Sequence, residues 1–444
     1  MITRNAIESL RSWAAKEQRK PLVLRGARQV GKTTLVTEFA KEFDTFLHLN
    51  LEKPEHRRLF SGFPSVQDLL MAISVTLGKR TEGRTLLFID EIQNSKDAVA
   101  MLRYLYEDAP QIYVIAAGSL LESLIDVRIS FPVGRVEYMM VRPCTFLEFL
   151  TAIGEDLCGE AIVNIGINET LHERTMRLFR QYTMIGGMPE AVSRFSAERD
   201  ILALDTIYEA LLTGYKDDVE KYVGTGKKLG ALRHVLLSGW SHAAERITLA
   251  NFAGSSYKSR EMGEAFRTLS KTHLIEVVYP TTGTNLPILQ EPKRSPKLLW
   301  FDTGLVNYAA GLRAELMESD HIEDAWRGRI AEQIVAQELL AINDRPSHHR
   351  DFWVRGTASG TAEVDFVLQH GNMLVPVEVK SGTNTKQKSL GVFMEYATHD
   401  IAVRVSSKPF NVSQSKTNSG KAFRFVNLPF YFVSQIHHIL DTLE

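Results

Sequence analysis

Along the chain, short unbroken apolar runs alternate with stretches in which apolar residues recur every three or four positions. The runs at residues 22–24, 46–51, 85–89, 111–117 and 136–141 read as strands, the central ones buried on both faces. Between them lie helical stripes: Ile7, Leu10, Trp13 and Ala14 within 4–17, Leu35, Val36, Phe39 and Phe43 within 32–43, and Leu69, Leu70, Ile73 and Leu77 within 65–78. Strand alternating with helix predicts an α/β parallel sheet. From residue 143, where Pro143 heads a helix, the pattern is helical and mixed in charge to about 222, broken by Gly186-Gly187-Met188-Pro189.

Residues 227–280 read as three helices and a strand: a stripe of Leu229, Leu232, Val235, Leu236 and Trp240, a short helix over 247–253, a third over 259–270, and a strand over 274–279. That order predicts a winged helix-turn-helix. A strand at 297–302, a helix from Gly304, a helix over 324–341, strands at 352–355, 362–368 and 374–380, a helix near 387–397 and a strand at 401–405 follow. The parse is a P-loop core at 1–145, a helical lid at 146–222, a winged helix at 223–300 and a further α/β unit at 301–444.

A chain of 444 residues exceeds what one hydrophobic core organises. Apolar usage of 44% with 24% charged residues marks a folded globular protein rather than a disordered one. The formal charge of −1 directs attention away from a globally basic nucleic-acid binder, so any basic surface must be local. Cys144 and Cys158 are the two cysteines, and the 13 histidines lack metal-ligand spacing, which argues against a disulfide scaffold or zinc cluster. No apolar run approaches about 18 residues, so neither a targeting nor a membrane-spanning segment is expected, and a cytoplasmic location is.

Chemistry concentrates first where the strand at 22–24 runs into Gly26, Ala27, Arg28, Gln29, Val30, Gly31, Lys32, Thr33 and Thr34. This is the phosphate loop G-x-x-x-x-G-K-T, with a strand before it and a helix after. The glycines permit close backbone approach to phosphate, and the loop N–H groups and helix start attract the anion. Lys32 supplies charge to the β- and γ-phosphates of ATP, and Thr33 a hydroxyl for Mg²⁺. A second apolar strand ends in Asp90-Glu91. Asp90 is expected to hold the Mg²⁺ through water and Glu91 to act as general base; the alternative is that Asp90 caps the next helix. Ser119, at another strand tip, is placed to sense the γ-phosphate or else to cap a helix. Arg135, with Arg128 and Arg142 as competitors, is a candidate arginine finger in cis or from a neighbouring subunit; a structural arginine is the alternative. The break at 186–189 is either a plain turn or a lid element whose proline packs near the adenine.

Taken together, these motifs over residues 1–222 resemble the AAA-like, STAND-type prokaryotic ATPases, through the phosphate loop, Phe88-Ile89-Asp90-Glu91-Ile92-Gln93, Gly134-Arg135 and Gly186-Gly187-Met188-Pro189. The resemblance implies that Gly187 and Pro189 contact the base. It also implies that the domain acts as a nucleotide-gated switch more than as a fast enzyme.

In the helix over 259–270, Lys258, Ser259, Arg260 and Arg267, with Tyr257, offer a modestly basic face to a DNA major groove. The alternative is a winged helix used only for protein packing. Further on, period-two alternation puts Glu363 and Asp365 on one strand face, and Glu378 and Lys380 on one face of the next. A Gly371-Asn372 turn makes the strands antiparallel neighbours, so Asp365 and Glu378 converge. Facing carboxylates call for a cation, and Mg²⁺ or Mn²⁺ is the expected occupant, with Glu332 completing the set and Lys380 orienting water. The order Glu332, Asp365, Glu378-x-Lys380 on an α-β-β-β-α-β framework resembles the PD-(D/E)xK nuclease fold. The whole chain resembles prokaryotic ATPases that carry a winged helix and such a C-terminal domain. A solvent-facing hairpin, or a nuclease-derived unit that is catalytically silent, remains the alternative. The expected partners are ATP, DNA through the last two units, and another copy or a partner protein.

Overall fold

The computed structural model describes residues 2–62, 65–118, 131–223, 226–313, 329–356, 362–381 and 388–443. Ser119, Arg128 and residues 324–328 of the expected helix lie outside them.

The first unit opens with helix α1 (Ala6–Ala14) and strand β1 (Leu22–Arg25), then α2 (Lys32–Phe39), β2 (Thr45–Asn50), α3 (Pro54–Arg58), α4 (Val66–Leu77), β3 (Thr85–Asp90), α5 (Lys96–Asp108), β4 (Tyr113–Ala117) and β5 (Glu137–Met140). The five strands form one parallel sheet in the order β2-β3-β4-β1-β5. Alternation distributes the side chains: Leu24, Leu86 and Phe88 enter one core, Val23, Leu87 and Ile89 the other. Such a sheet is covered on both faces, so its strands carry few polar residues except at their tips. Those tips are where β1 runs into the phosphate loop and β3 ends in Asp90.

Five helices follow: α6 (Phe146–Ala152), α7 (Asp156–Val163), α8 (Glu169–Ile185), α9 (Pro189–Glu198) and α10 (Asp205–Val223). The helix expected from Pro143 begins at Phe146, because Thr145 and Glu148 close a reciprocal capping box there. Pro189 starts α9 at its first turn, where a missing N–H costs nothing.

The third segment carries α11 (Lys227–Ser238), α12 (Ser259–Ser270), β6 (Ile275–Val278), β7 (Pro280–Thr281) and β8 (Lys297–Trp300). The helix expected over 247–253 is not formed. Asn251 and Ala253 hold positive φ of 53° and 47°, and only a 3₁₀ turn, Phe252–Gly254, is made. Ile247 and Phe252 still bury, so the apolar run serves an irregular strap. Strands β6 and β8 pair antiparallel, and Trp240 stacks on Trp300 at 3.5 Å.

Beyond it come α13 (Thr303–Ala309), α14 (Arg329–Ala341), β9 (Asp351–Val354), β10 (Glu363–His370), β11 (Met373–Val379), α15 (Lys388–Tyr396), β12 (Ile401–Ser406), β13 (Asn411–Lys416), β14 (Ala422–Pro429) and α16 (Ile436–Leu443). Their sheet has the order β13-β14-β12-β11-β10-β9-β7. Through β7, which pairs with β9, the third segment supplies an edge strand to this sheet. Among the described residues no helix is long and apolar enough to cross a membrane.

Candidate functional sites

The phosphate loop takes its shape from three left-handed residues, Gly26 (φ 141°), Gln29 (φ 64°) and Gly31 (φ 90°). A Cβ on Gly26 would overlap the Val141 carbonyl oxygen, so the strand–loop junction admits no side chain. Lys32 folds back over the loop and donates to the carbonyls of Gly26 and Ala27, both at 2.9 Å. Burial pulls its ammonium down to about 8, against the attraction of Glu91 and Asp90. The Thr33 hydroxyl donates to Asp90 Oδ2 at 2.8 Å, so the loop and the tip of β3 meet. Glu91 sits at positive φ (52°), with its N–H on Asp90 Oδ1 (3.0 Å) and its carboxylate held by Gln93. Burial raises the pKa of Glu91, as a proton acceptor requires.

These residues fit a Mg²⁺–triphosphate. Mg²⁺ takes a hydroxyl, one or two carboxylates and phosphate oxygens rather than an all-protein cage, and Thr33 beside Asp90 supplies the protein share. Around them opens a cavity of about 860 Å³, walled by the loop, by Ile2, Ile7 and Arg11 near α1, by Glu52 and Glu91, and by Pro189. Pro189 lies 3.5 Å from where a Cβ on Gly31 would be. Gly187 does not line the cavity. Its N–H donates to Asp302 at 2.6 Å and its carbonyl accepts from Cys144 at 2.6 Å, and a Cβ would overlap the Cys144 carbonyl. Arg28 lines the cavity and forms an ion pair with Asp218 of α10. Arg135 is exposed, pairs with Glu107 at 3.2 Å and stands apart from the cavity wall.

The carboxylates of the C-terminal sheet meet a cation of the chain itself. Lys297, at the start of β8 and 2% exposed, places its ammonium 2.9 Å from Glu332, 3.4 Å from Glu363 and 4.0 Å from Asp365. Asp365 also accepts from the Val379 N–H at 2.7 Å. Glu378 turns to Lys380 at 2.8 Å, leaving its buried Oε2 without a hydrogen bond. Burial, then Asp365, raises the Glu332 carboxyl to about 7. Glu332 and Asp365 thus lie around the Lys297 ammonium and Glu378 against Lys380, so cations of the chain stand beside the three carboxylates expected to hold a divalent ion. Among the described residues no group of three or more His, Cys, Asp or Glu is arranged to hold a metal.

Residues 18–150 match a family model described as an AAA domain. The chain carries an AAA-like P-loop ATPase domain. Residues 176–316 and 327–431 match two models described as domains of unknown function, DUF8612 and DUF4143. No curated protein matches the chain. Similar solved structures include the Walker-type ATPase of Pyrococcus abyssi, at 14% identity and TM-score 0.45, covering 70% of this chain and 96% of that one. The Thermotoga maritima RuvB Holliday junction branch migration motor is 16% identical at TM-score 0.28, with 62% and 90% covered. The Aeropyrum pernix ORC1 protein in complex with DNA is 13% identical at TM-score 0.25, with 70% and 93% covered.

Three residues at these sites escape sequence reasoning. Arg4, itself on the cavity wall, clamps the loop by donating to the carbonyls of Val30 (3.1 Å) and Arg142 (2.6 Å) and pairing with Glu148 at 3.2 Å. Asp302 receives the Gly187 N–H, and Lys297 neutralises the acidic cluster. Each acts on partners far away in sequence, and no local motif marks them.

Proposed function

We propose that this chain is an ATP-binding, Mg²⁺-dependent P-loop ATPase that acts as a nucleotide-gated switch on its C-terminal, nuclease-like unit. The observation that carries this is the meeting of Thr33 with Asp90 at 2.8 Å, beneath a lysine folded over the loop at the tips of a parallel sheet. In this reading Lys32 charges the β- and γ-phosphates, and the N–H groups of residues 26–34 cradle them. Thr33 and Asp90 hold Mg²⁺, and Glu91 takes the proton of the attacking water. Pro189 packs beside the base, while Gly187 sets the turn that delivers it. Arg135, exposed and clear of its own cavity, serves a neighbouring copy as a finger. The switch follows from Arg28: bound phosphate competes with Asp218 for its guanidinium, which frees α10 of the lid.

Nucleotide binding to wild type and Lys32→Ala tests the core of the reading. A loss of at least about 100-fold is expected; equal affinity would sink the claim. Glu91→Gln is expected to bind ATP with little change while hydrolysis falls at least about 100-fold.

A second reading has its own support. The C-terminal unit binds DNA or a protein without cutting, since its carboxylates already have a cation in Lys297. DNA contact would use the exposed Lys258, Ser259, Arg260 and Arg267 of the α12 region. Plasmid nicking with Mn²⁺ by wild type, Asp365→Ala and Glu378→Ala separates the readings: cleavage lost in both variants favours a nuclease, and no cleavage by any favours binding.

A further inference from the structure

We propose that Lys297 is a built-in counter-ion that stands where a divalent cation would otherwise sit, and that it closes the C-terminal acidic cluster to metal. The inference rests on the second reading above.

The lysine is fixed at both ends. Its backbone lies in β8, paired with Val278 of β6 and bridged to Arg246. Its stem is buried, and the ammonium lies 5.1 and 5.6 Å from the ring centres of Phe352 and Phe366. It cannot swing to solvent without opening that packing. Three carboxylates from two elements converge on it: Glu332 from α14, and Glu363 and Asp365 from β10. A metal among them would stand within a few ångströms of a fixed like charge. Other contacts of these carboxylates are internal too. Glu363 reaches Arg246 at 3.4 Å, Asp365 accepts the Val379 N–H, and Glu378 faces Lys380. A buried charge cluster of this kind persists only when paired, and Glu332, Glu363 and Asp365 each have the Lys297 ammonium within 4.0 Å, while Glu378 pairs with Lys380 through Oε1 and leaves Oε2 without a hydrogen bond. Lys380 is a separate, partly exposed cation whose ammonium pairs with Glu378, so it does not do the work of Lys297.

The experiment is Mn²⁺ uptake by the full chain without nucleotide, followed by electron paramagnetic resonance of free Mn²⁺. Wild type and Asp365→Asn are expected to take up the same amount with the same affinity. Wild-type uptake that weakens tenfold or more in Asp365→Asn overturns the proposal. Lys297→Met, which keeps the stem and removes the charge, is expected to gain a Mn²⁺ site at least tenfold tighter than wild type, lost again in Lys297→Met with Asp365→Asn. A folded Lys297→Met chain that gains no site also overturns it. If Lys297→Met does not fold, the wild-type comparison alone decides. ATP binding by the phosphate loop is measured separately, so the two readings fail independently.

Discussion

At the scale of single residues, Lys32 links structure to pH. Burial draws its ammonium from 10.5 to about 8, so the charged form is held at a cost that bound phosphate relieves. A triphosphate raises that pKa again, and the complex binds a proton that the nucleotide-free protein has lost above about pH 8. Affinity for ATP is therefore expected to be highest below pH 8 and to fall by up to about tenfold per pH unit above it. Calorimetry in two buffers of different ionisation enthalpy would report proton uptake between pH 8 and 10; its absence there would rule this account out. The loop itself was legible because its chemistry is contiguous over residues 26–34 and sits beside one other short motif, Asp90-Glu91. Lys297 was not, because in sequence it is one cation at the start of an apolar strand. Its meaning depends on Glu332, 35 residues away, and on β10.

At the scale of elements, α14 shows what periodicity conveys and what it hides. Ile330, Ile334, Val335 and Leu339 form the stripe expected of a helix with one buried side. In the fold the other side is buried too, against α8, β8 and α13, and its polar residues are all engaged. Gln333 exchanges hydrogen bonds with the Trp300 backbone, and Gln337 accepts from Thr303 and donates to Tyr182. Glu338 accepts from the Phe146 N–H at 3.1 Å and meets the Tyr182 hydroxyl at 2.6 Å. That hydroxyl also lies 2.7 Å from the Cys144 carbonyl and has one proton to give. A protonated Glu338 supplies the second, and burial raises its pKa to about 7. A carboxyl raised in the folded state adds stability below its unfolded value of 4.5, and that stability is lost as pH rises through 7. Glu338→Gln does not ionise. Relative to wild type it is expected to be about 2 kcal/mol more favourable at pH 8 than at pH 5. Urea denaturation at both values measures this, and an unchanged difference would show that Glu338 is not the titrating group. Strand β13 was missed for a related reason. Asn-Val-Ser-Gln-Ser-Lys is a largely exposed edge with little apolar alternation, and only its pairing with β14 makes it a strand.

At the scale of the whole molecule, β8 runs between the two sites. Lys297 at its start lies in the acidic cluster, and Asp302 just beyond its end accepts the Gly187 N–H at 2.6 Å and the Leu305 N–H at 3.0 Å. Gly187 leads directly to Pro189 on the wall of the nucleotide cavity. A shift of that wall on ATP binding must be taken up by Asp302 or passed along the strand, because packed interiors deform little. A physical coupling requires an element that both sites bias, and β8 meets that requirement by position. Hydrogen exchange tests it. With Mg²⁺–ATP, slower exchange is expected in β1, β3 and the loop, and also in β8 and α14. Asp302→Ala leaves the Gly187 and Leu305 N–H groups without their acceptor, at a cost of about 1–3 kcal/mol each. In that variant, ATP is expected to protect the loop as before while protection of β8 and α14 falls severalfold. Protection confined to the nucleotide unit in wild type would mean that β8 is a tie holding the domains together and carries no signal between them.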